Sequence, residues 1–298
     1  EYLQLSDADV AEIIRNLATA PLGVRPSGER ELRISIAGAQ EKTALLWNDG
    51  WCLPKGTTPT THILKPGLGK LPNGLDMIQR LEVAQSQIVD VDGIRILAVE
   101  RFDRLRASDG RLLRIPQEDF CQALSVPPTR KYNNDGGPGI RECLGLLAGS
   151  DYAEEDRLAF LKAQIVFWLI GATDGHAKNF SLFLTPGGRY RMTPLYDIMS
   201  LQPNYAAKQL RRKEFRLSMA IGDNRYYAME SILPYHFLED AKAAGMAQDR
   251  VRSLFGSLGE TIEGALERTA AIMPDDFPKL LVEGIGHAMR KRSAKLLT

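Results

Sequence analysis

The sequence predicts an α+β fold in two parts, a small sheet-rich amino-terminal lobe and a larger helical carboxy-terminal lobe. Two observations lead there. Up to about position 105 the apolar and β-branched runs are short and punctuated by turn signals; beyond it, apolar residues recur at the three- to four-residue spacing of packed helices. The chain of 298 residues, 44% apolar and 25% charged, is long enough for roughly two such parts. The boundary is placed at 103/104, giving lobes of residues 1–103 and 104–298 with a cleft expected between them.

In the first part, ELRISIAG, KTALLW, GWCLPKG and THILKP read as strands, and Asn48-Asp49-Gly50 reads as a turn between two of them. Residues 87–90 and 93–100, divided by Asp92-Gly93, read as a further hairpin. In the second part, residues 117–124, 154–170, 235–244, 249–271 and 276–295 carry helical periodicity. Asp151 and Glu154 have the spacing of a capping box for the helix that ends in Trp168-Leu169-Ile170.

Composition narrows the function. Lys and Arg total 38 against 37 acids, so no strong overall field draws the chain onto nucleic acid or anionic lipid. No apolar run approaches the roughly 20 residues that span a bilayer, and the opening EYLQLSDADV lacks a basic and apolar leader. A cytoplasmic protein with no membrane partner is expected. Cys52, Cys121 and Cys143 are far apart and form no CxxC pair, so they are expected to be buried thiols rather than disulfide or zinc ligands.

The chemistry concentrates in Gly171-Ala-Thr-Asp-Gly-His-Ala-Lys-Asn-Phe180, a sudden polar cluster after an apolar helix. Phosphoryl transfer needs a carboxylate beside the acceptor hydroxyl and oxygen ligands for magnesium. Asp174 and Asn179, five residues apart, have the base-to-asparagine spacing of a kinase catalytic loop. Residues 180–184 and 189–195 read as strands joined by Thr185-Pro-Gly-Gly188. Antiparallel pairing then returns Asp197 to the volume of Asn179, where the two can share one cation. A purely structural use, with Asp174 capping a turn and Asp197 capping the next segment, stays open at this point.

Other features carry weaker signals. Ser35-Ile-Ala-Gly-Ala-Gln-Glu-Lys42 lies between two strand-like runs, as a phosphate-covering loop does, but with one glycine a plain hairpin connection is the better reading of this loop taken alone. It matches neither the P-loop nor the dinucleotide fingerprint. Lys65 and Lys42 compete as a phosphate-pairing cation, and Glu100-Arg-Phe-Asp103 closes the last predicted strand, where salt bridging is as good a reading as adenine binding. Lys208–Lys213 and Arg290-Lys-Arg292 are expected to be solvated helix faces. His62, His236, His287, Trp47 and Trp51 receive no chemistry.

Taken together, ISIAGAQEKTALL, KGTTPTTHILKP, AVERFDR, PQEDFCQAL, KYNNDGGPGI, LIGATDGHAKNFSLF and TPLYDI resemble the HipA family, the toxin kinases of bacterial toxin–antitoxin modules. The resemblance implies a bilobal protein-kinase-like fold using ATP and Mg2+. It implies Asp174 as catalytic base and Asn179 and Asp197 as metal ligands. It further implies Ala37, Gly38, Ala39, Gln40 and Lys65 on the phosphates, Glu100 and Phe102 on adenine, and Asp103, His176, Lys178 and Tyr196 around the nucleotide. Ser35 matches the serine these kinases autophosphorylate; a phosphate there adds nearly two negative charges beside the triphosphate, so modification is expected to silence the enzyme. The implied substrate is a serine of glutamyl-tRNA synthetase, with growth arrest and persistence as the outcome. The implied partner is a dimeric helix-turn-helix antitoxin of the HipB type, bridging the toxin to operator DNA and placing it at the nucleoid.

The family's amino-terminal subdomain of about a hundred residues is expected to be absent here. An acidic helical segment that the family carries between the positions of Met77 and Ile78 is also missing. The expectation is that residues have been omitted at this point, and a normal peptide distance between the two would count against it. Two other functions remain in view: a kinase of a small molecule or lipid on the same fold, and an antitoxin-tethered transcriptional co-repressor.

Overall fold

The computed structural model describes residues 1–17, 42–66, 81–273 and 277–297. The phosphate-loop candidates Ser35, Ala37, Gly38, Ala39 and Gln40, the strand expected at ELRISIAG and the Met77–Ile78 junction all lie outside the described residues. The chain forms two compact units, one from Glu1–Pro72 and Ala84–Ile115, the other from Asn73–Val83 and Pro116–Thr298.

In the first unit, strand β1 (Tyr2–Gln4) leads into helix α1 (Asp7–Leu17), which the sequence reading did not identify. Ser6 and Asp9 cap it reciprocally: the Asp9 N–H donates to Ser6 Oγ at 3.2 Å and the Ser6 N–H to Asp9 Oδ2 at 2.8 Å. Strands β2 (Thr43–Trp47), β3 (Trp51–Pro54), β4 (His62–Pro66), β5 (Ser86–Val91) and β6 (Ile94–Glu100) complete an antiparallel sheet ordered β1-β3-β2-β4-β6-β5. Both expected hairpins form. Asp49 stands at φ 53° in one turn, and Asp92 and Gly93 at 50° and 73° in the other. Val10 and Ile14 of α1 reach down onto Leu45, Leu64, Val91 and Ile96. Each such apolar side chain is worth roughly 1.5–3 kcal/mol when fully buried. Trp51 belongs to this core, while Trp47 meets it edge-on at 4.8 Å and stays largely exposed.

The unit boundary falls at Ile115/Pro116, twelve residues beyond the expected 103/104. Strands β7 (Arg104–Arg106) and β8 (Leu112–Arg114) form a hairpin that stays with the first unit. Two side chains tie it there: Arg104 Nε donates to Thr60 O at 2.7 Å and Arg114 Nη2 to Thr57 O at 3.1 Å. Conversely, Val83 bridges Leu195 of the second unit, and the Leu195 N–H donates to Glu82 O at 2.8 Å.

The second unit begins with β9 (Gln117–Asp119) and α2 (Phe120–Ala123), where a single helix over 117–124 was expected. Residues 117–119 are instead taken up in pairing with a later strand, and Asp119 with Gln122 forms the capping box of the short helix that remains. Helix α3 (Ile140–Leu147) packs on α4 (Ala153–Ile170), whose residues 160–170 are all buried. A helix buried all round, here even at Lys162 and Gln164, is the centre of its unit rather than a face of it. Asp151 does not cap α4; its carboxylate takes Arg189 Nε at 3.0 Å.

After α4 come β10 (Ser181–Thr185) and β11 (Arg189–Met192), then α5 (Gln202–Ala206) and the ribbon β12 (Arg216–Ile221) with β13 (Tyr226–Ala228). Helices α6 (Pro234–Ala243), α7 (Gln248–Ile272) and α8 (Lys279–Ser293) follow close to their expected positions. The three cysteines are free and buried, as expected. Among the described residues no helix is long and apolar enough to cross a membrane.

Candidate active site

The loop of interest leaves α4 through Gly171, at φ 73°. A Cβ here would stand 2.8 Å from the Phe215 ring, so the left-handed turn and the packing both demand glycine. Three hydroxyl and backbone ties then fix the loop. Ser200 Oγ donates to Ile170 O at 2.6 Å, the Leu201 N–H donates to Gly171 O at 2.9 Å, and Ser218 Oγ donates to Thr173 O at 2.6 Å.

Within the loop, Asp174 offers its backbone carbonyl to two groups, the His176 N–H at 2.9 Å and Asn179 Nδ2 at 2.7 Å. The second bond orients the asparagine. With Nδ2 committed to the loop, Oδ1 is the atom with which the side chain can take a cation. The Asp174 carboxylate stays about half exposed, accepts the Tyr132 hydroxyl at 2.9 Å and lies 3.9 Å from His176 Nε2.

The expected hairpin forms. β10 and β11 pair from Thr185↔Arg189 to Leu182↔Met192, and the Thr193 N–H continues the ladder to Ser181 O at 2.9 Å. One step further, Tyr196 Oη donates to Lys178 O at 2.8 Å and therefore accepts Ser181 Oγ at 2.6 Å. Burial pushes the Tyr196 phenol above its ordinary pKa, so it remains a donor. Asp197 follows at once, exposed and at φ 58°, a left-handed conformation that costs a non-glycine residue of order 1–3 kcal/mol.

His176 lies 3.9 Å from the Asp174 carboxylate. It is 4% exposed, and its Nδ1 has no hydrogen-bond partner. Burial lowers its pKa; the charge of Asp174 opposes the shift, Lys131 adds to it, and Asp197 also opposes it. The ring is thus neutral near pH 7 and lies within electrostatic reach of both carboxylates. Such an orphaned buried nitrogen beside half-exposed oxygens suits a polar ligand.

Among the described residues no group of three His, Cys, Asp or Glu could hold a metal by itself. Magnesium keeps waters and substrate phosphate oxygens and takes only one or two protein carboxylates. Asn179 and Asp197 are the residues that fit it here.

The other expected site residues fare differently. Lys178 is an ion-pair partner of Asp119. Lys65 is half-buried on β4 opposite Leu97, and Glu100 ends β6 opposite His62, exposed. Phe102 is half-buried in the turn that follows. Asp103 is 6% exposed and its carboxylate is gripped by two arginines: Arg101 Nε and Nη2 at 3.0 and 2.7 Å, and Arg104 Nη1 at 2.8 Å. Burial pushes this carboxyl up, but the bonds and charges of both guanidinium groups outweigh it and leave the pKa below its usual value.

Sequence reasoning missed Tyr132, Lys131 and Asp119. The first two stand in KYNNDGGPGI, whose cluster of Asn, Asp and Gly reads as loop; nothing local ties it to a residue 42 positions later.

Comparison with known proteins bears on family and fold. A model of the HipA-like C-terminal domain matches residues 34–266. The chain is 35% identical to a Sinorhizobium fredii protein named putative kinase Y4mE and 27% identical to the Shewanella oneidensis serine/threonine-protein kinase toxin HipA. Each match covers 91% of this chain and 65% of the relative, so the chain spans a little under two thirds of their length. A solved complex of S. oneidensis HipA, HipB and operator DNA contains a chain that covers all of this one and 72% of its own length, at a TM-score of 0.78 and 24% identity. That likeness extends the kinase-like α+β fold to this molecule. The chain belongs to the family of HipA-like C-terminal domains.

Proposed function

We propose that this chain transfers the γ-phosphoryl group of ATP to a serine or threonine of a protein. The observation that carries the reading is the tie of loop to hairpin: Asn179 Nδ2 bonds the Asp174 carbonyl, His176 Nε2 lies 3.9 Å from the Asp174 carboxylate, and Tyr196 Oη on Lys178 O brings the residue before Asp197 against the residue before Asn179. Asp174, half exposed and bonded to one neutral donor, is placed to take the proton of an acceptor hydroxyl. Asn179 Oδ1 and Asp197 would hold magnesium, which when bound supplies charge neutralisation on the phosphates. His176, neutral and with Nδ1 unpartnered, offers one polar contact to a nucleotide.

Lys65 is assigned to phosphate, and Glu100 and Phe102 to adenine, on the resemblance of their motifs. Asp103 serves by holding Arg101 and Arg104 in place, and Lys178 by its pair with Asp119. Ser35 is assigned as the autophosphorylated serine, with Ala37, Gly38, Ala39 and Gln40 covering the phosphates.

Glutamyl-tRNA synthetase is the protein substrate we assign, and a HipB-like antitoxin dimer the partner. The named HipA–HipB–operator assembly of S. oneidensis supports a second use, as co-repressor on operator DNA through that antitoxin. The test is transfer of labelled γ-phosphate from ATP with Mg2+, comparing wild type with Asp174→Ala, with and without glutamyl-tRNA synthetase. Label on the synthetase that vanishes in the variant supports the whole reading. Label on the chain alone leaves kinase activity and removes that substrate, and no transfer at all removes the catalytic proposal in favour of co-repression.

A further inference from the structure

We infer that Tyr132 is a positioning residue for the phosphoryl-transfer step, acting through the Asp174 carboxylate, and that residues 130–139 exist to hold it there. The inference rests on the proposed role of Asp174. Three observations carry it.

First, the Tyr132 hydroxyl donates to Asp174 Oδ1 at 2.9 Å, while its ring meets His176 edge-on at 5.0 Å between centroids. One side chain therefore fixes both the carboxylate and the imidazole of the loop. A carboxylate on a loop has a rotatable χ2; a bond from a neutral phenol to one oxygen selects an orientation and leaves the other oxygen to meet an acceptor hydroxyl. Second, the donor is permanent. Burial, then the charge and hydrogen bond of Asp174, push the phenol up to about 12, so it keeps its proton throughout the physiological range.

Third, the segment is built to be rigid although it carries no long element. Asn133, the next residue, is buried and uses both ends of its amide. Oδ1 accepts Tyr227 Oη at 3.0 Å, Arg225 Nη2 at 3.1 Å and the Ala220 N–H at 3.3 Å, and Nδ2 donates to Gly137 O at 3.0 Å. The ribbon of β12 and β13 thereby clamps the segment one residue from Tyr132. The Gly137 N–H returns to Tyr132 O at 3.0 Å, and a Cβ at Gly137 would lie 2.0 Å from Arg130 O, so the turn closes only around glycine. Lys131, stacked 4.9 Å over the Tyr132 ring, adds a second hold. A segment of this kind reads as scaffold for a single hydroxyl.

The test compares wild type, Tyr132→Phe and Asp174→Ala, with γ-labelled ATP, Mg2+ and α-casein as serine-bearing probe, and records amide exchange of residues 174–179. Tyr132→Phe is expected to lower kcat by about tenfold to a hundredfold, the worth of one hydrogen bond to a charged group, with KM for ATP within about twofold. Exchange at the His176 and Asn179 amides should quicken while the melting temperature stays within about 3 °C of wild type. Equal kcat in Tyr132→Phe and wild type, with Asp174→Ala inactive, overturns this inference and leaves the kinase reading standing. A matched rise in KM and fall in melting temperature also overturns it, since that marks a structural role alone. If wild type transfers nothing to casein, to glutamyl-tRNA synthetase or to itself, the kinase reading fails, and unchanged exchange at 174–179 then rejects the tether independently.

Discussion

Asp103 and Asp174 are both aspartates in the connection that follows a regular element, and their surroundings are opposite. Asp103, in the first unit, is almost wholly buried and held by two guanidinium groups with charge-assisted bonds to both oxygens. Asp174, in the second, is half exposed and held by one phenol. A carboxylate saturated by arginines is a fixed structural anion whose acceptor capacity and charge are consumed. One that accepts a single neutral bond keeps a lone pair and a negative charge for a reaction. The same residue type is thus fixed as a rivet or left available as the proposed base, according to the donors the fold brings to it.

Substitutions sharpen that contrast. The largest effect is expected at Asp174: Asp174→Asn should reduce phosphoryl transfer roughly 10²–10⁴-fold while leaving the melting temperature nearly unchanged, read by initial rates and thermal unfolding. Asp103→Asn should do the reverse. Removing the anion leaves Arg101 and Arg104 uncompensated, and a loss of about 3 kcal/mol in denaturant unfolding is expected. Its pH dependence has a definite sign. The folded-state pKa is depressed, so the stabilisation is present above the unfolded value of about 4 and is lost as pH falls below it. Wild type and variant should therefore converge in acid and separate above about pH 4; a constant gap across pH would break the comparison.

A smaller effect is expected at Arg292, whose Nη1 donates to Leu169 O at 2.8 Å and Nη2 to Gln202 Oε1 at 2.8 Å. Burial lowers its pKa to about 10, so it remains charged at neutral pH at the carboxy-terminal end of α4. Arg292→Met should cost about 2 kcal/mol by denaturant unfolding. The smallest belongs to Arg189, whose pair with Asp151 is solvent-bathed; Arg189→Ala should leave the melting temperature unmoved, and a measurable drop would mean that exposure is a poor guide to an aspartate's role in this chain.

Much of this was legible in the sequence, and the gaps have physical causes. The run from Asp174 to Asp197 could be placed because a two-strand hairpin converts separation along the chain into proximity by simple counting. Helices α6 and α7 announced themselves through periodicity. Residues 117–119 were misread because their helical pattern was overridden by pairing with β10, an event no local window contains. Helix α3 was passed over because it follows the Gly- and Pro-rich KYNNDGGPG. Arg292 looked like part of a solvated basic cluster, yet its guanidinium turns inward to a carbonyl 123 residues earlier. The partners of Asp174 and Lys178, 42 and 59 residues away, are of the same kind: contacts created by tertiary structure, with no trace in local composition.

The hairpin of β10 and β11 is closed at both ends, by its turn at Thr185–Arg189 and by Tyr196 on Lys178 and Ser181. Its consequence is best put as an effective concentration. On the proposed metal role, a cation that had found Asn179 would meet the Asp197 carboxylate already tethered near it, so the second ligand would arrive without a fresh search through solution. Opening the clasp would turn that proposed chelate back into two weak, independent ligands and weaken the hold on the cation by the effective concentration lost.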